Sequence, residues 1–315
     1  MNRILVTGGA GFIGSTLVDT VLKEDPDPSI IILDDFSTGN PDNIPHSFNV
    51  KTLNVDISTL TDKNNSTNKI KTEVEGADYM LHFAAKARVQ PSIDHPIEFN
   101  DTNVNGTLNL LEICRDVGIK RFVLSSSSSI YGDTEVFPTP ETAPIQPLSP
   151  YGLQKLIGEQ YCQLYSTIHD LETVCLRYFN VYGDKMPTSG AYCLVMGIFT
   201  QLKRLGKPLT IYGDGEQRRD FTSVEDVVRA NLLSCTSDKV GKGEIINIGN
   251  GDNKSVQDIA DIFGGPFDYK PKRLEPFKTL ADNTKARELL GWEPTGNVEE
   301  WLRGYIDENL RNDTN

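Results

Sequence analysis

Residues 3–14 join a short apolar run to a glycine turn, and this junction restricts the fold more than any other stretch. Arg3-Ile-Leu-Val-Thr7 reads as a buried β-strand. Gly8-Gly9-Ala10-Gly11-Phe12-Ile13-Gly14 follows at once. Ser15 to Lys23 then reads as a helix, with Phe12, Ile13, Leu17, Val18, Val21 and Leu22 at helical spacing. Glycines let the backbone turn tightly and approach a ligand without a Cβ in the way. The first N–H groups of the helix lack partners, and its dipole favours an anion. The spacing is Gly8-x-x-Gly11-x-x-Gly14 rather than the commoner Gly-x-Gly-x-x-Gly of dinucleotide folds. Alone it also describes a glycine-rich turn with no ligand.

The next stretches supply context. Ser29 to Leu33 is a second β-rich run ending at Asp34-Asp35, about 20 residues beyond the last glycine. A carboxylate there suits the hydroxyls of an adenosine ribose and repels a 2′-phosphate, favouring NAD over NADP; the alternative is a plain strand-end turn residue. Val50 to Asn54 is a third strand, ending in Val55-Asp56-Ile57, and Thr59 to Glu75 a polar surface helix. Tyr79 to Phe83 is a fourth strand, running into the small residues Ala84-Ala85. Asn100 to Val117 reads as one long helix stopped by Gly118, and Arg121 to Leu124 as a fifth strand before five consecutive serines. Alternating strands and helices imply a parallel, doubly wound α/β sheet, in which ligands lie beyond the carboxyl ends of the strands.

Ser125–Ser129 follow a buried strand and lead into Ile130-Tyr131-Gly132, so their hydroxyls face the expected crevice rather than a linker. A proline-rich loop, 133–150, precedes a helix running to about His169. Tyr151 and Lys155 share one face of that helix. Ionising a tyrosine near pH 7 requires about 4 kcal/mol of differential stabilisation, which a nearby lysine and a cationic cofactor ring can supply. Taken alone, such a pair is common on helix surfaces.

The glycine spacing, the serine-rich strand end and Tyr151-x-x-x-Lys155 together resemble the extended short-chain dehydrogenase/reductase family, and more narrowly its nucleotide-sugar epimerases. Asn103 in Asn-Val-Asn-Gly-Thr, Ser125-Ser-Ser-Ser-Ser-Ile-Tyr-Gly132, Arg177-Tyr-Phe-Asn-Val-Tyr-Gly183, Pro208 to Phe221, Asn247-Ile-Gly249, Ala281-Asp282 and Leu290-Gly-Trp-Glu-Pro294 extend the resemblance over nearly the whole chain. It implies a Rossmann-type NAD domain at 1–179 and a smaller α/β substrate-binding domain at 180–315, with some segments packing back on the first.

The resemblance also distributes roles. Ser127, Tyr151 and Lys155 would be catalytic. NAD would be held by Gly8, Gly11, Phe12, Ile13, Asp34, Asp35, Ser37, Thr38, Gly39, Asp56, Ile57, Phe83, Ala84, Ala85, Asn103, Ser125, Tyr178 and the catalytic Tyr151 and Lys155. The substrate, a UDP-sugar, would meet Ser127, Asn180, Val195, Thr210, Tyr212, Gln217, Arg219, Arg273, Glu275 and Thr279. Arg219 would bind the diphosphate and Tyr212 lie by the uracil. Either Lys272 or Arg273 would be the second phosphate ligand, because the chain is one residue shorter there than the family pattern. Thr279, smaller than the tyrosine of narrow-pocket members, implies room for an N-acetyl group, or is simply a strand residue.

Dehydratases of the family carry an acidic pair inside the serine segment, and decarboxylases a glutamate before its Tyr-Gly. Ser128 and Ser129 stand in those places, which leaves removal and return of hydrogen at the sugar C4: a 4-epimerase for UDP-glucose and UDP-galactose, with the N-acetylated pair as a further substrate. A UDP-glucuronate epimerase, a 4-keto reductase and a non-catalytic NAD-binding protein remain alternatives. The family also implies a homodimer through the helices near 100–117 and 150–169.

Charge and composition restrict the partners. A formal net charge of −13 over 315 residues argues against nucleic acid or an anionic membrane. The N-terminus opens on a strand without the pattern of a secretory signal, and no apolar run is long enough to span a bilayer. Five scattered cysteines without CxxC spacing point to reduced thiols in a cytoplasmic protein. Four histidines without metal-ligand spacing imply no metal.

Overall fold

The computed structural model describes residues 3–61, 65–190, 193–273 and 275–310. Its first half alternates strands and helices: β1 (Ile4–Thr7), α1 (Phe12–Glu24), β2 (Ile30–Asp34), β3 (Val50–Asn54), α2 (Asn65–Val74), β4 (Tyr79–His82), α3 (Val89–Asp94), α4 (Pro96–Asn100), α5 (Thr107–Val117), β5 (Arg121–Ser127), α6 (Pro150–His169) and β6 (Glu172–Tyr178). The second half holds β7 (Asn180–Tyr182), α7 (Val195–Arg204), β8 (Leu209–Tyr212), β9 (Arg218–Arg219), β10 (Phe221–Ser223), α8 (Val224–Thr236), β11 (Lys242–Ile248), β12 (Lys254–Ser255), α9 (Val256–Phe263), β13 (Phe267–Lys270), α10 (Thr284–Leu290) and α11 (Val298–Asn309).

Seven strands form one parallel sheet in the order β11-β6-β5-β4-β1-β2-β3. β1, β2 and the apolar part of β5 are buried along their whole length, as a sheet covered on both faces requires. On one face Ile4, Val6, Ile30 and Ile32 pack with Leu17 and Val21 of α1 and Val227 and Val228 of α8. On the other, Leu5, Ile31 and Leu33 pack with Ile70, Leu110, Leu111 and Cys162 of α2, α5 and α6. A separate apolar cluster in the second half gathers Phe199, Leu209, Ile211, Ile259, Phe263 and Leu302. Chain order and space diverge in that half. β11 completes the large sheet, α8 covers it, and Trp292 is fully buried in the same core, its indole N–H donating to the Asp226 carbonyl at 2.8 Å.

Three expectations from the sequence need correcting. The segment expected as a helix from Thr59 to Glu75 is helical only over Asn65–Val74. A 3₁₀ turn at Ile57–Thr59 precedes it, its Ser58 N–H capped by the Asp56 carboxylate, and residues 62–64 lie outside the described ones. The expected single helix from Asn100 to Val117 is three pieces, with a π-helical turn, Asp101–Gly106, between α4 and α5. That wider turn buries Asn103 and leaves Gly106 against Ile57, where a Cβ would come within 2.7 Å of its side chain. Finally, β5 continues through Ser127, because Ser125, Ser126 and Ser127 stay in register with Leu176, Arg177 and Tyr178 of β6.

Candidate active site

The glycine turn caps the carboxyl end of β1. Gly8 adopts φ 70°, and a Cβ there would lie 2.6 Å from the Ala84 backbone nitrogen; at Gly14 it would lie 2.3 Å from the Gly8 oxygen. Both positions demand glycine for packing alone. Gly11 differs: its Cβ would meet only the Gly8 oxygen, at 3.2 Å, and it caps α1 without any side-chain acceptor. The first N–H groups of α1 therefore have an open approach and no capping side chain, the arrangement a diphosphate requires.

Asp34 ends β2 and is buried, 6% exposed. One oxygen accepts the Ala10 N–H at 2.8 Å and the other the Phe36 N–H at 2.9 Å. Burial raises its pKa, and the two N–H bonds oppose that rise. Asp34 thus locks the glycine turn to the loop after β2, a role its spacing did not disclose. Asp35 accepts from Ser37, and Asp56 from Ser58, as local caps. Gly39 packs against Ala10, where a Cβ would approach the Ala10 Cβ to 2.7 Å. Thr38 sits in the same loop. Phe83, Ala84 and Ala85 leave β4 beside Gly8, and Ile57 begins the 3₁₀ turn after β3.

Asn103 has a positioning task. Its carbonyl oxygen accepts from Lys86 N, and both amide hydrogens are committed, to the Lys86 carbonyl and to Gln154. It ties the loop after β4 to α6, the structural part that the family resemblance implies for this asparagine. His82 extends this scaffold, bridging Thr7 through Nδ1 at 2.7 Å and Thr107 through Nε2 at 2.9 Å. The Thr107 hydroxyl donates to the Asn103 carbonyl, so it accepts from Nε2–H, and Nδ1 accepts from Thr7. Complete burial holds this imidazole neutral, its pKa pushed down to about 3.

The three expected catalytic residues meet where β5 ends and α6 begins. Ser149 caps α6 and Pro150 starts it, which sets Tyr151 in the first turn and Lys155 one turn on. The Ser127 hydroxyl accepts the Ser129 N–H at 3.2 Å and lies near enough to Tyr151 to pull its pKa down. The Lys155 ammonium donates to the Ser125 carbonyl at 2.7 Å and lies 5.9 Å from the Tyr151 ring centre. Burial lowers Lys155 to about 8, against a smaller opposing pull from Glu159. Burial raises Tyr151 above its ordinary value, opposed by the neighbouring Ser127 hydroxyl and by the positive charge of Arg88. Ser125 Oγ and the Tyr178 hydroxyl lie 3.1 Å apart, and the buried Tyr178 also bonds Asn231 of α8.

Beneath these groups, Ser126 donates to Glu159 at 2.5 Å, and Arg177 bonds both oxygens of the same carboxylate. Glu159 follows Lys155 by one helical turn, so its spacing could have revealed it; Arg88 carries no comparable signal. Arg88 lies at φ 106°, ψ 141° before α3, a region costing an arginine on the order of 1–3 kcal/mol.

The expected substrate residues form a second group. Arg273 stacks over the Tyr212 ring with its guanidinium carbon 3.4 Å from the centre, and Lys272, Gln217, Glu275 and Phe277 line the same cleft. Arg219, 7% exposed, donates to Glu275 at 2.8 Å and to the Arg218 carbonyl at 2.9 Å. Gln217 is buried and donates to the Tyr212 carbonyl. The Thr279 hydroxyl accepts the Asp220 N–H at 3.0 Å, so it also works as a backbone tie. Thr210 on β8, Val195 at the start of α7 and Asn180 at the start of β7 are each partly exposed. Residues 277–282 link the two groups: Phe277 N donates to Asp133, Thr139 N to the Leu280 carbonyl, and Asp282 N to the Thr139 carbonyl. Buried Asp220, missed in the sequence, accepts backbone N–H groups from Asn250, Gly251 and Ala281 and thereby fixes this strap.

Comparison with known proteins agrees with this geometry. Residues 4–249 match the model of the NAD dependent epimerase/dehydratase family. A UDP-glucose 4-epimerase of Mycolicibacterium smegmatis is 35% identical over 315 residues, covering 97% of each chain. The crystal structure of a UDP-glucose 4-epimerase from Thermotoga maritima with UDP-glucose superposes with a TM-score of 0.89 at 36% identity, covering 98% of this chain and 100% of that one. A UDP-glucuronic acid 4-epimerase from Bacillus cereus, solved with UDP-glucuronic acid and NAD, gives 0.86 at 31% identity, covering 97% and 99%.

Proposed function

The chain belongs to the NAD dependent epimerase/dehydratase family, and from that premise we propose that it is a UDP-sugar 4-epimerase acting on UDP-glucose and UDP-galactose. The observation that carries this reading is the meeting of Ser127, Tyr151 and Lys155 without an available carboxyl group in the serine segment. Ser128 and Ser129 offer no acid for elimination or decarboxylation, and Glu159, just beneath, is committed to Arg177.

The open face of Gly11, the uncapped start of α1 and the buried Asp34 fit an NAD diphosphate and adenosine ribose. NAD, when bound, supplies reversible oxidation at the sugar C4 and is regenerated within each turnover. Tyr151 takes the proton of the 4-hydroxyl and later returns it. Ser127 hydrogen-bonds the same oxygen, stabilising it as charge develops. Lys155 keeps a positive charge one turn from the phenolate. Arg219, with Arg273 or Lys272, anchors the diphosphate while the sugar turns over between its two faces. The small Thr279 side chain, tied to the Asp220 backbone, leaves the space a tyrosine would fill, which supports UDP-N-acetylglucosamine as a further substrate.

We further propose a cytoplasmic homodimer. Leu153, Leu164 and Ile168 on α6 and Ile97 on α4 are exposed, Ile97 by 77%. An apolar stripe of this kind on paired helices suits a second copy of the chain. No helix among the described residues is long and apolar enough to cross a membrane.

The test is a panel of UDP-glucose, UDP-galactose and their N-acetyl and uronate forms, offered without added NAD and resolved chromatographically. The reading requires interconversion at C4 of the hexose pair and its loss in Tyr151→Phe. Turnover of none, or near-normal turnover by Tyr151→Phe, overturns it.

A further inference from the structure

The loop after β2 folds back on the glycine turn and is fastened there from outside. Ala10 is the centre of this closure. Its N–H donates to Asp34, and its carbonyl accepts the Asn40 N–H at 3.1 Å and the Asn43 side-chain amide at 3.0 Å. Residues 35–43 are thereby drawn over the turn, with Gly39 close against Ala10. Ser37, Thr38 and Gly39, which the family resemblance assigns to NAD, ride on this loop. The outer fastener comes from the second half of the chain. Lys185, in the segment after β7, donates to the Asp19 carboxylate of α1 at 2.5 Å and to the Asn43 carbonyl at 3.4 Å. That segment is itself rooted in the apolar cluster of the second half: Met186 is buried there, and the Trp301 indole N–H donates to Asp184 at 3.0 Å. At Gly183 a Cβ would lie 2.4 Å from the Val224 side chain and 3.4 Å from the Phe12 ring, so the segment runs hard against the start of α1.

We propose that Lys185 is a positioning residue for the cofactor, a clasp that holds residues 35–43 shut and slows the release of NAD. The inference rests on the NAD site of the epimerase reading and goes beyond it, by naming a side chain that keeps the cofactor in place between turnovers. An enzyme that regenerates its NAD in every cycle gains nothing from exchanging it. For the adenosine end to leave, the loop must lift from Ala10, and lifting it breaks the bond between Lys185 and the Asn43 carbonyl. A lysine suits the position because its ammonium carries three donors and can serve a carboxylate and a carbonyl together. The Lys185 side chain is 29% exposed and that of Asp19 44%, so each contact is modest. The clasp therefore acts on a rate of opening and not on whether the chain folds. Its root beside Met186 and Trp301 also makes closure of the cofactor loop depend on the substrate half being in place.

The experiment loads the full chain with radiolabelled NAD, chases it with excess unlabelled NAD and counts the label still bound over time. No turnover is needed. Lys185→Met is expected to release NAD about 5–10-fold faster than the parent. Asp19→Asn, which leaves the Asn43 bond in place, accelerates release less, and Lys185→Arg stays within about twofold of the parent. Hydrogen exchange of the NAD-free protein separates a clasp from a general loss of stability: Lys185→Met exchanges faster at residues 35–43, while β1 exchanges as in the parent. Unchanged release from Lys185→Met, or faster release without faster exchange at 35–43, overturns the proposal, as does a parent that takes up no labelled NAD. A parent that holds NAD but turns over no UDP-sugar overturns the epimerase reading instead, and the release rates still judge Lys185.

Discussion

Glu159 and Arg177 close a two-bond ion pair in which neither side chain is more than 1% exposed. Removing one partner strands the other charge in the interior. Glu159→Gln is expected to destabilise the protein by about 3–5 kcal/mol in denaturant melts. Because Glu159 also accepts from Ser126, turnover per folded molecule falls as well, as the end of β5 loses the contact that orders Ser127. A melt unchanged to within experimental error contradicts this account.

Lys155 predicts an exchange of function for stability. Its folded pKa of about 8 lies below the ordinary 10.5, so the unfolded chain binds its proton more tightly. The charged form therefore costs stability below pH 8, a cost that shrinks as pH rises toward 10.5. Lys155→Met is expected to be inactive yet more stable at pH 7 by on the order of 2 kcal/mol, with the gain disappearing near pH 10. Paired melts at the two pH values decide it.

His82 predicts the acid edge of stability. Held at about 3 in the fold against 6.5 in the unfolded chain, it stays neutral while the unfolded state takes up a proton. Its contribution is whole above pH 6.5 and is lost at about 1.4 kcal/mol per pH unit as pH falls toward 3. His82→Gln is expected to be less stable at pH 7, having lost the bridge between Thr7 and Thr107, but to show a shallower decline between pH 6 and 4. Equal slopes for the two proteins refute the assignment.

Arg219 predicts a binding defect. A buried guanidinium held by Glu275 and two carbonyls is rigid before substrate arrives. Arg219→Ala is expected to raise KM for the UDP-sugar by about 10–100-fold, equivalent to one charge-assisted contact, with a much smaller change in kcat. A kcat loss with KM unchanged would move Arg219 from anchoring to chemistry.

Much of the large sheet was legible because its signals are local. The glycine turn, the alternation of apolar runs and the four-residue step from Tyr151 to Lys155 each lie within a few turns of chain. The residues that escaped act across long separations or through backbone angle. Asp220 gains its meaning from N–H groups at 250, 251 and 281. The backbone of Arg88 takes a dihedral that no spacing encodes. Asp34 was placed correctly at a strand end, but its hold on Ala10 depends on how two loops fold over each other. The π turn at 101–106 was invisible because its apolar spacing matches an ordinary helix over so short a stretch.

β11 borders β6 although more than sixty residues separate them in the chain. During synthesis the ribosome delivers β6 long before its neighbour, so a nascent chain halted near residue 179 presents an unpaired edge. Such an edge is a template for joining other chains. A fragment cut there is therefore not an autonomous cofactor-binding module but an aggregation-prone intermediate. Grafts or split versions of this protein must carry residues 224–248 and the Trp292 segment along with the sheet they complete.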